Sequence, residues 1–239
     1  MIVLLGLTSF ALRAQPDDDV TFYEDSEVKH SRIMMAINLD PNFTDRRLIN
    51  SEIPLGGDFT LIDAKAKGSF QLNYGVDVFF RIGSSLAVGL GAGRATSSYT
   101  VEDAIYHGDG GNDSIPVSIE SKVGMYTLPI KLNFSTALSD IFDLEVVPQV
   151  QMNFLSEYEN NIIPMNGGTN VTQDRSDETQ NITFSVGLGL GGTYKFSDNW
   201  GFFVRGEVKY MLSPMIDQRG YPRETLLSGG LNMGLKYSF

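Results

Sequence analysis

From position 227 onward the chain obeys a strict period of two. Leu227, Gly229, Leu231, Met233, Leu235, Tyr237 and Phe239 alternate with Ser228, Gly230, Asn232, Gly234, Lys236 and Ser238. In an extended chain successive side chains point to opposite faces, so this segment has one apolar and one polar face. A helix would scatter the same residues around its axis. The pattern recurs over 200–212, where Trp200, Phe202, Val204, Val208, Tyr210 and Leu212 oppose Arg205, Glu207 and Lys209. It recurs again over 182–196, 143–154, 126–135, 86–93, 70–82 and 32–39. The sequence therefore predicts eight strands.

The connections restrict what eight such strands can build. Short links (83–85, 136–141, 197–199) alternate with long ones (40–69, 100–121, 158–179, 213–225). The apolar faces also carry more Phe, Tyr and Trp than the lumen of an eight-stranded barrel holds, because side chains fill such a lumen completely. A water-soluble barrel would need those faces inside. Turned outward into lipid, they form an apolar band. The expected fold is all-β: an eight-stranded antiparallel up-and-down transmembrane β-barrel with short periplasmic turns and long extracellular loops.

Composition narrows the function. The 239 residues carry a net charge of −11 and no basic stripe, which argues against nucleic acid as a partner. No Cys and two His, His30 and His107, leave no thiolate metal site, no cysteine nucleophile and no obvious histidine triad. The GxG spacings at Gly89–Gly93 and Gly187–Gly191 open no helix after a strand, so they are not a nucleotide fingerprint. The loop around Asp109 and Asp113 lacks the bidentate Glu and flanking helices of an EF-hand. No catalytic residue, metal site or cofactor is expected.

Residues 1–14 (MIVLLGLTSFALRA) read as a signal peptide cleaved after Ala14, because the apolar core is too short to span a bilayer and ends in small residues. Residues 15–30 read as an acidic periplasmic tail, and 31–239 as the barrel. With the polar faces inward, seven cations (Arg32, Arg81, Lys131, Lys195, Arg205, Lys209, Lys236) and four anions (Asp77, Asp143, Glu145, Glu207) gather in the half of the lumen nearest the short turns. Charges in so narrow a space must pair, and a plug of salt bridges is expected. The other half is expected to be a water-filled cup lined by Gly, Ser, Thr, Asn and Gln. Its rim is acidic, with Glu102, Asp103, Asp109 and Asp113 in one loop and Glu157, Glu159, Asp174, Asp177 and Glu178 in another. The expected function is a non-enzymatic structural or interaction barrel, an accessory subunit of an envelope or secretion assembly. The alternative is a narrow gated channel or small-ligand binder, with excess lumen cations favouring anions.

Two segments carry a family resemblance. Met233, Leu235, Tyr237 and Phe239 resemble the C-terminal β-signal of outer-membrane proteins. Tyr126-Thr-Leu-Pro129-Ile-Lys-Leu-Asn-Phe134 resembles the Y-x-x-P-x-x-x-x-F strand of the outer-membrane β-barrel (porin-like) domain family of small Gram-negative barrels. The OmpA/OmpX-like type shares the eight-strand count. The resemblance implies residence in the cell outer membrane, with lipid around the barrel and recognition of the last strand by the assembly machinery. An envelope protein is the expected partner of the long loops. Wide pores need about 16 strands, so the word porin does not carry over.

Overall fold

A computed structural model describes residues 32–48, 59–60, 66–107, 114–216 and 223–239. The expected signal peptide (1–14) and acidic tail (15–30) lie outside the described residues, as do Asp109 and Asp113. Eight long strands are present: β1 Ile33–Leu48, β2 Ala66–Arg81, β3 Leu86–His107, β4 Ser114–Ser139, β5 Phe142–Pro164, β6 Ile182–Lys195, β7 Trp200–Met211 and β8 Glu224–Ser238. Each pairs antiparallel with the next, and β8 pairs with β1, so the sheet closes on itself. Closure removes the unpaired edges that an open sheet would present. At the seam Met34 faces Ser238, and Phe239 donates its N–H to the Ile33 carbonyl at 3.1 Å. Two short strands lie on the wall, Phe59–Thr60 against β3 and Val171–Asp174 against β5.

The barrel is inside-out. Ile37, Phe70, Val76, Leu90, Leu128, Ile130 and Leu188 all stand on the outer surface, while Asn38, Asp77, Lys131, Asn153, Arg205 and Lys236 are buried. A girdle of exposed apolar residues this continuous belongs in lipid, since water-soluble monomers rarely expose patches beyond a few hundred Å². On β4 the outward apolar run is Tyr126, Leu128, Ile130, Leu132 and Phe134. Its eight residue steps cover about 27 Å along the strand, or roughly 20 Å of height at the usual barrel tilt. At the short-turn edge the Tyr237 ring lies 4.9 Å from both Trp200 and Phe239, an aromatic cluster suited to the membrane interface.

Above this band, toward the long loops, polarity reverses on β3, β4 and β5. Tyr99, Val101, Val117, Ile119, Val123, Tyr158 and Ile162 turn inward and are buried. Thr100, Glu102, Glu120, Lys122 and Glu159 turn outward. This end is built like a soluble barrel, as expected of a wall that faces water. Much of what the sequence presents as loop is therefore strand: β1 continues past Leu39 to Leu48, β3 reaches His107, β4 starts at Ser114 and β5 runs to Pro164. Bulges add to the concealment. Gly124 pairs with Glu157 but Met125 pairs with Leu155, leaving Ser156 unopposed and shifting the phase of β5. Between β4 and β5 the turn narrows to Asp140 and Ile141.

Candidate functional site

The polar faces of the strands converge on the lumen at mid-height and below. Lys131 on β4 donates to Asp77 on β2 at 2.7 Å, and Asn38 on β1 donates to the same Asp77 oxygen at 2.8 Å. Glu145 on β5 receives Lys236 from β8 and the Thr193 hydroxyl from β6, the latter at 2.8 Å, with Arg205 of β7 at 3.8 Å. Arg205 also lies 4.2 Å from the centre of the Phe203 ring. Lys209 bridges Glu207 at 3.1 Å and Asp40 at 2.6 Å, and Gln149 donates to Glu207. The inward glycines make room for these long side chains. A Cβ at Gly91 would fall 2.2 Å from an Asp77 oxygen, and one at Gly191 would fall 2.8 Å from Cγ of Arg205.

The network is balanced in charge. Asp40, Asp77, Glu145 and Glu207 oppose Lys131, Arg205, Lys209 and Lys236. Asp143 and Lys195 pair at 2.7 Å near the short turns, where Lys195 is 40% exposed. Arg81 is half-buried there and directs Nη2 to the Met34 sulfur at 3.6 Å. Arg32 stands exposed and joins none of these pairs. The predicted excess of lumen cations thus falls from three to one, Arg81: Arg32 leaves the lumen, and Asp40, hidden in a stretch read as loop, enters it.

The loop end is closed by a different chemistry: the expected cup lined by Gly, Ser, Thr, Asn and Gln is reduced to a small polar cavity and covered by an apolar core. Tyr99, Val101, Ile119, Val123, Met125, Tyr158, Met211 and Leu226 pack together there, joined by Met215 and Ile216 from the chain beyond β7. Backbone bonds hold that segment in place: Met215 donates to Glu224 and accepts from Gln180, both at 2.8 Å. One buried polar group crosses this core. Arg46 contacts Glu224 at 2.9 Å, Tyr99 donates to the other Glu224 oxygen at 2.8 Å, and the Tyr158 hydroxyl lies 3.1 Å from that of Tyr99. Burial, helped by the neighbouring Glu224 carboxylate, pushes both phenols well above their ordinary pKa. A polar cavity of about 70 Å³ separates the apolar core from the salt-bridge layer.

The acidic rim is partly neutralised on the outer wall. Lys67 pairs with Glu102 at 2.6 Å and Lys122 with Glu157 at 2.8 Å, while Arg94 reaches Glu157 at 3.5 Å and covers the Tyr126 ring at 4.7 Å. Asp174 is held below the usual carboxylate range by hydrogen bonds from the Ser176 hydroxyl and N–H. The assembly-signal residues Met233, Leu235, Tyr237 and Phe239 lie on the outer face at the seam strand, half-buried or exposed. Among the described residues no group of three or more His, Asp or Glu is placed to hold a metal ion.

A closed antiparallel sheet with an apolar exterior, a polar charged interior and an aromatic edge is an integral β-barrel membrane protein. More particularly, the chain belongs to the outer membrane protein beta-barrel domain family, whose model matches residues 21–217, and it resides in the cell outer membrane. Among curated proteins no sequence matches it. Among solved structures it is similar to Neisserial surface protein A (10% identity, 86% of this chain and 97% of that chain, TM-score 0.46). It is similar also to OprG from Pseudomonas aeruginosa (14%, 88% and 97%, TM-score 0.44) and to the outer membrane protease OmpT from Escherichia coli (11%, 93% and 99%, TM-score 0.39).

Proposed function

We propose that this protein is a non-conducting, non-enzymatic structural or interaction barrel, with the long-loop end as its contact surface. The observation that carries this reading is the closed lumen: a neutral layer of four anions and four cations beneath an apolar core. An ion crossing the barrel would have to displace buried pairs and then pass Val, Ile and Met side chains. Both steps are costly in a narrow low-dielectric space. With its interior committed to stability, the barrel is left with its loop end for interaction. An envelope protein or secretion assembly is the partner class favoured there, since the outer wall carries paired but accessible charges.

Planar-bilayer recording of the purified protein tests this. Silence is expected, together with a co-purifying envelope partner that is lost when 108–113 or 165–170 is trimmed. Steady conductance abolished by changing Arg205 or Lys209 would replace this reading with a gated channel. The 70 Å³ cavity between the two layers is the feature that would favour such a channel.

A further inference from the structure

We propose that the loop end of the barrel contains a buried binding site for a small carboxylate, with Arg46 as its anchor. Arg46 is 3% exposed at its side chain, and only Nη1 is engaged, on Glu224. Its Nε and Nη2 are buried and have no hydrogen-bond partner among the described residues. Those two nitrogens form one edge of the planar guanidinium, the edge that takes a carboxylate through two parallel N–H···O bonds. Buried donors of this kind are rarely left unpaired in folded proteins.

Arg46 lines a cavity of about 30 Å³, which Tyr99, Ser121, Tyr158, Asn160, Gln173 and Arg175 also line. Such a space accommodates about two waters or one carboxylate group, at roughly 10–15 Å³ of comparable volume per water. The open Arg46 donors call for an acceptor, and a guanidinium favours an anionic one. Arg46 and Arg175 both line the cavity, and Glu224 is the one carboxylate among its lining residues. Both Glu224 oxygens are already occupied, one by Arg46 and the other by the Tyr99 hydroxyl. Ser121 is turned to Asn160 at 2.8 Å, so it does not compete for the guanidinium. Arg46 therefore keeps an open two-pronged donor beside a Glu224 carboxylate that is already fully engaged. Gln173 belongs to the short strand on β5, which places the cavity's outer side under that strand. This site does not depend on whether the lumen conducts.

The carboxylate could be that of a free small acid or the C-terminus of a peptide reaching in from outside. The full-length protein in detergent micelles is titrated with formate, with chloride, and with a short peptide bearing either a free or an amidated C-terminus, all at constant ionic strength. Saturable binding is read by line broadening of ¹³C-formate and by the unfolding midpoint. Formate is expected to bind and raise the midpoint, chloride to do so much less, and Arg46→Lys to weaken formate at least tenfold while keeping the charge opposite Glu224. Protection by the free but not the amidated peptide, with no formate effect, would assign the site to a peptide terminus. Equal responses to formate and chloride in both wild type and Arg46→Lys would overturn the proposal. So would a crystal structure in formate with only water at Nε and Nη2, a result that stands even if Arg46→Lys does not fold.

Discussion

Lys209 on β7 reaches Asp40 on β1 at 2.6 Å, across the strand that separates them, while also holding Glu207 at 3.1 Å. The contact therefore ties the sheet on both sides of the seam where β8 closes the barrel on β1. Removing one partner of a buried pair strands the other in a poorly solvated lumen, which typically costs about 3–5 kcal/mol. Lys209→Met should approach the lower end of that range, because Lys209 retains some exposure and Glu207 keeps its hydrogen bond from Gln149. Asp40→Asn combined with Lys209→Met should cost clearly less than the sum of the two single changes. Urea unfolding in micelles measures this coupling, and strict additivity would show that the pair is not an energetic unit.

Asp40 also marks where the sequence stopped being readable. Below it, apolar-out and polar-in alternation made every strand legible: the outward Ile37 and Leu39 beside the inward Ala36 and Asn38 are sufficient. Above the membrane band β3, β4 and β5 carry polar side chains outside and apolar ones inside, whereas β1 keeps Asn42, Thr44 and Arg46 inside but loses its apolar outer face at Asp45 and Arg47. A reader tracking one fixed polarity sees the pattern fade and writes loop. Val117 and Ile119 on β4 keep a period of two, but with the sign reversed. The bulge at Ser156 then moves inward positions from Asn153 to Tyr158, from odd to even numbers. The Arg46–Glu224 pair spans 178 positions of sequence and depends on barrel closure, so no local pattern announces it.

The buried phenols give the loop end a distinctive response to alkali. Burial first, and Glu224 second, raise the pKa of Tyr99, and burial raises that of Tyr158. A raised pKa means that the folded state holds its proton more tightly than the unfolded chain. The stabilisation is complete below the unfolded value of about 10 and is lost as pH rises through the higher folded values. Phenolate absorbance should show two tyrosines that stay protonated after the exposed ones have ionised, and then titrate together with loss of structure. Tyr99→Phe with Tyr158→Phe should remove that late step. Ionisation of every tyrosine near pH 10 in the folded protein would contradict the buried arrangement.

The reversal of polarity also predicts orientation. The end whose outer wall is polar over many residues belongs to the aqueous face outside the cell, and the end finished by 83–85, 140–141 and 197–199 belongs to the periplasm. Epitope tags inserted near Gly57, Gly110, Gly168 or Gly220 should be labelled on intact cells. Tags at Ser84 or Asp198 should be labelled only after the outer membrane is opened. The opposite pattern would invert the barrel.

The seam strand makes the last prediction. In β8, Leu235, Tyr237 and the following Phe239 face lipid. Tyr237 is clamped between Trp200 and Phe239, and the Phe239 N–H closes onto Ile33. Two consequences of changing these residues can be separated. Losing the aromatic cluster weakens the interface edge of the finished barrel, an effect on stability. Losing the period-two apolar face removes the feature that assembly machinery is proposed to pair with, an effect on yield. Tyr237→Phe should leave both nearly intact, because ring packing and alternation persist. Replacing Tyr237 and Phe239 together by Asp should sharply lower the amount of heat-modifiable barrel in the outer membrane. The same variant refolded from urea into micelles should still form barrel, because β8 pairs with β1 and β7 along most of its length. Normal membrane yield of the double Asp variant would end the assembly role. Failure to refold even in micelles would instead mean that the cluster is needed for the fold itself.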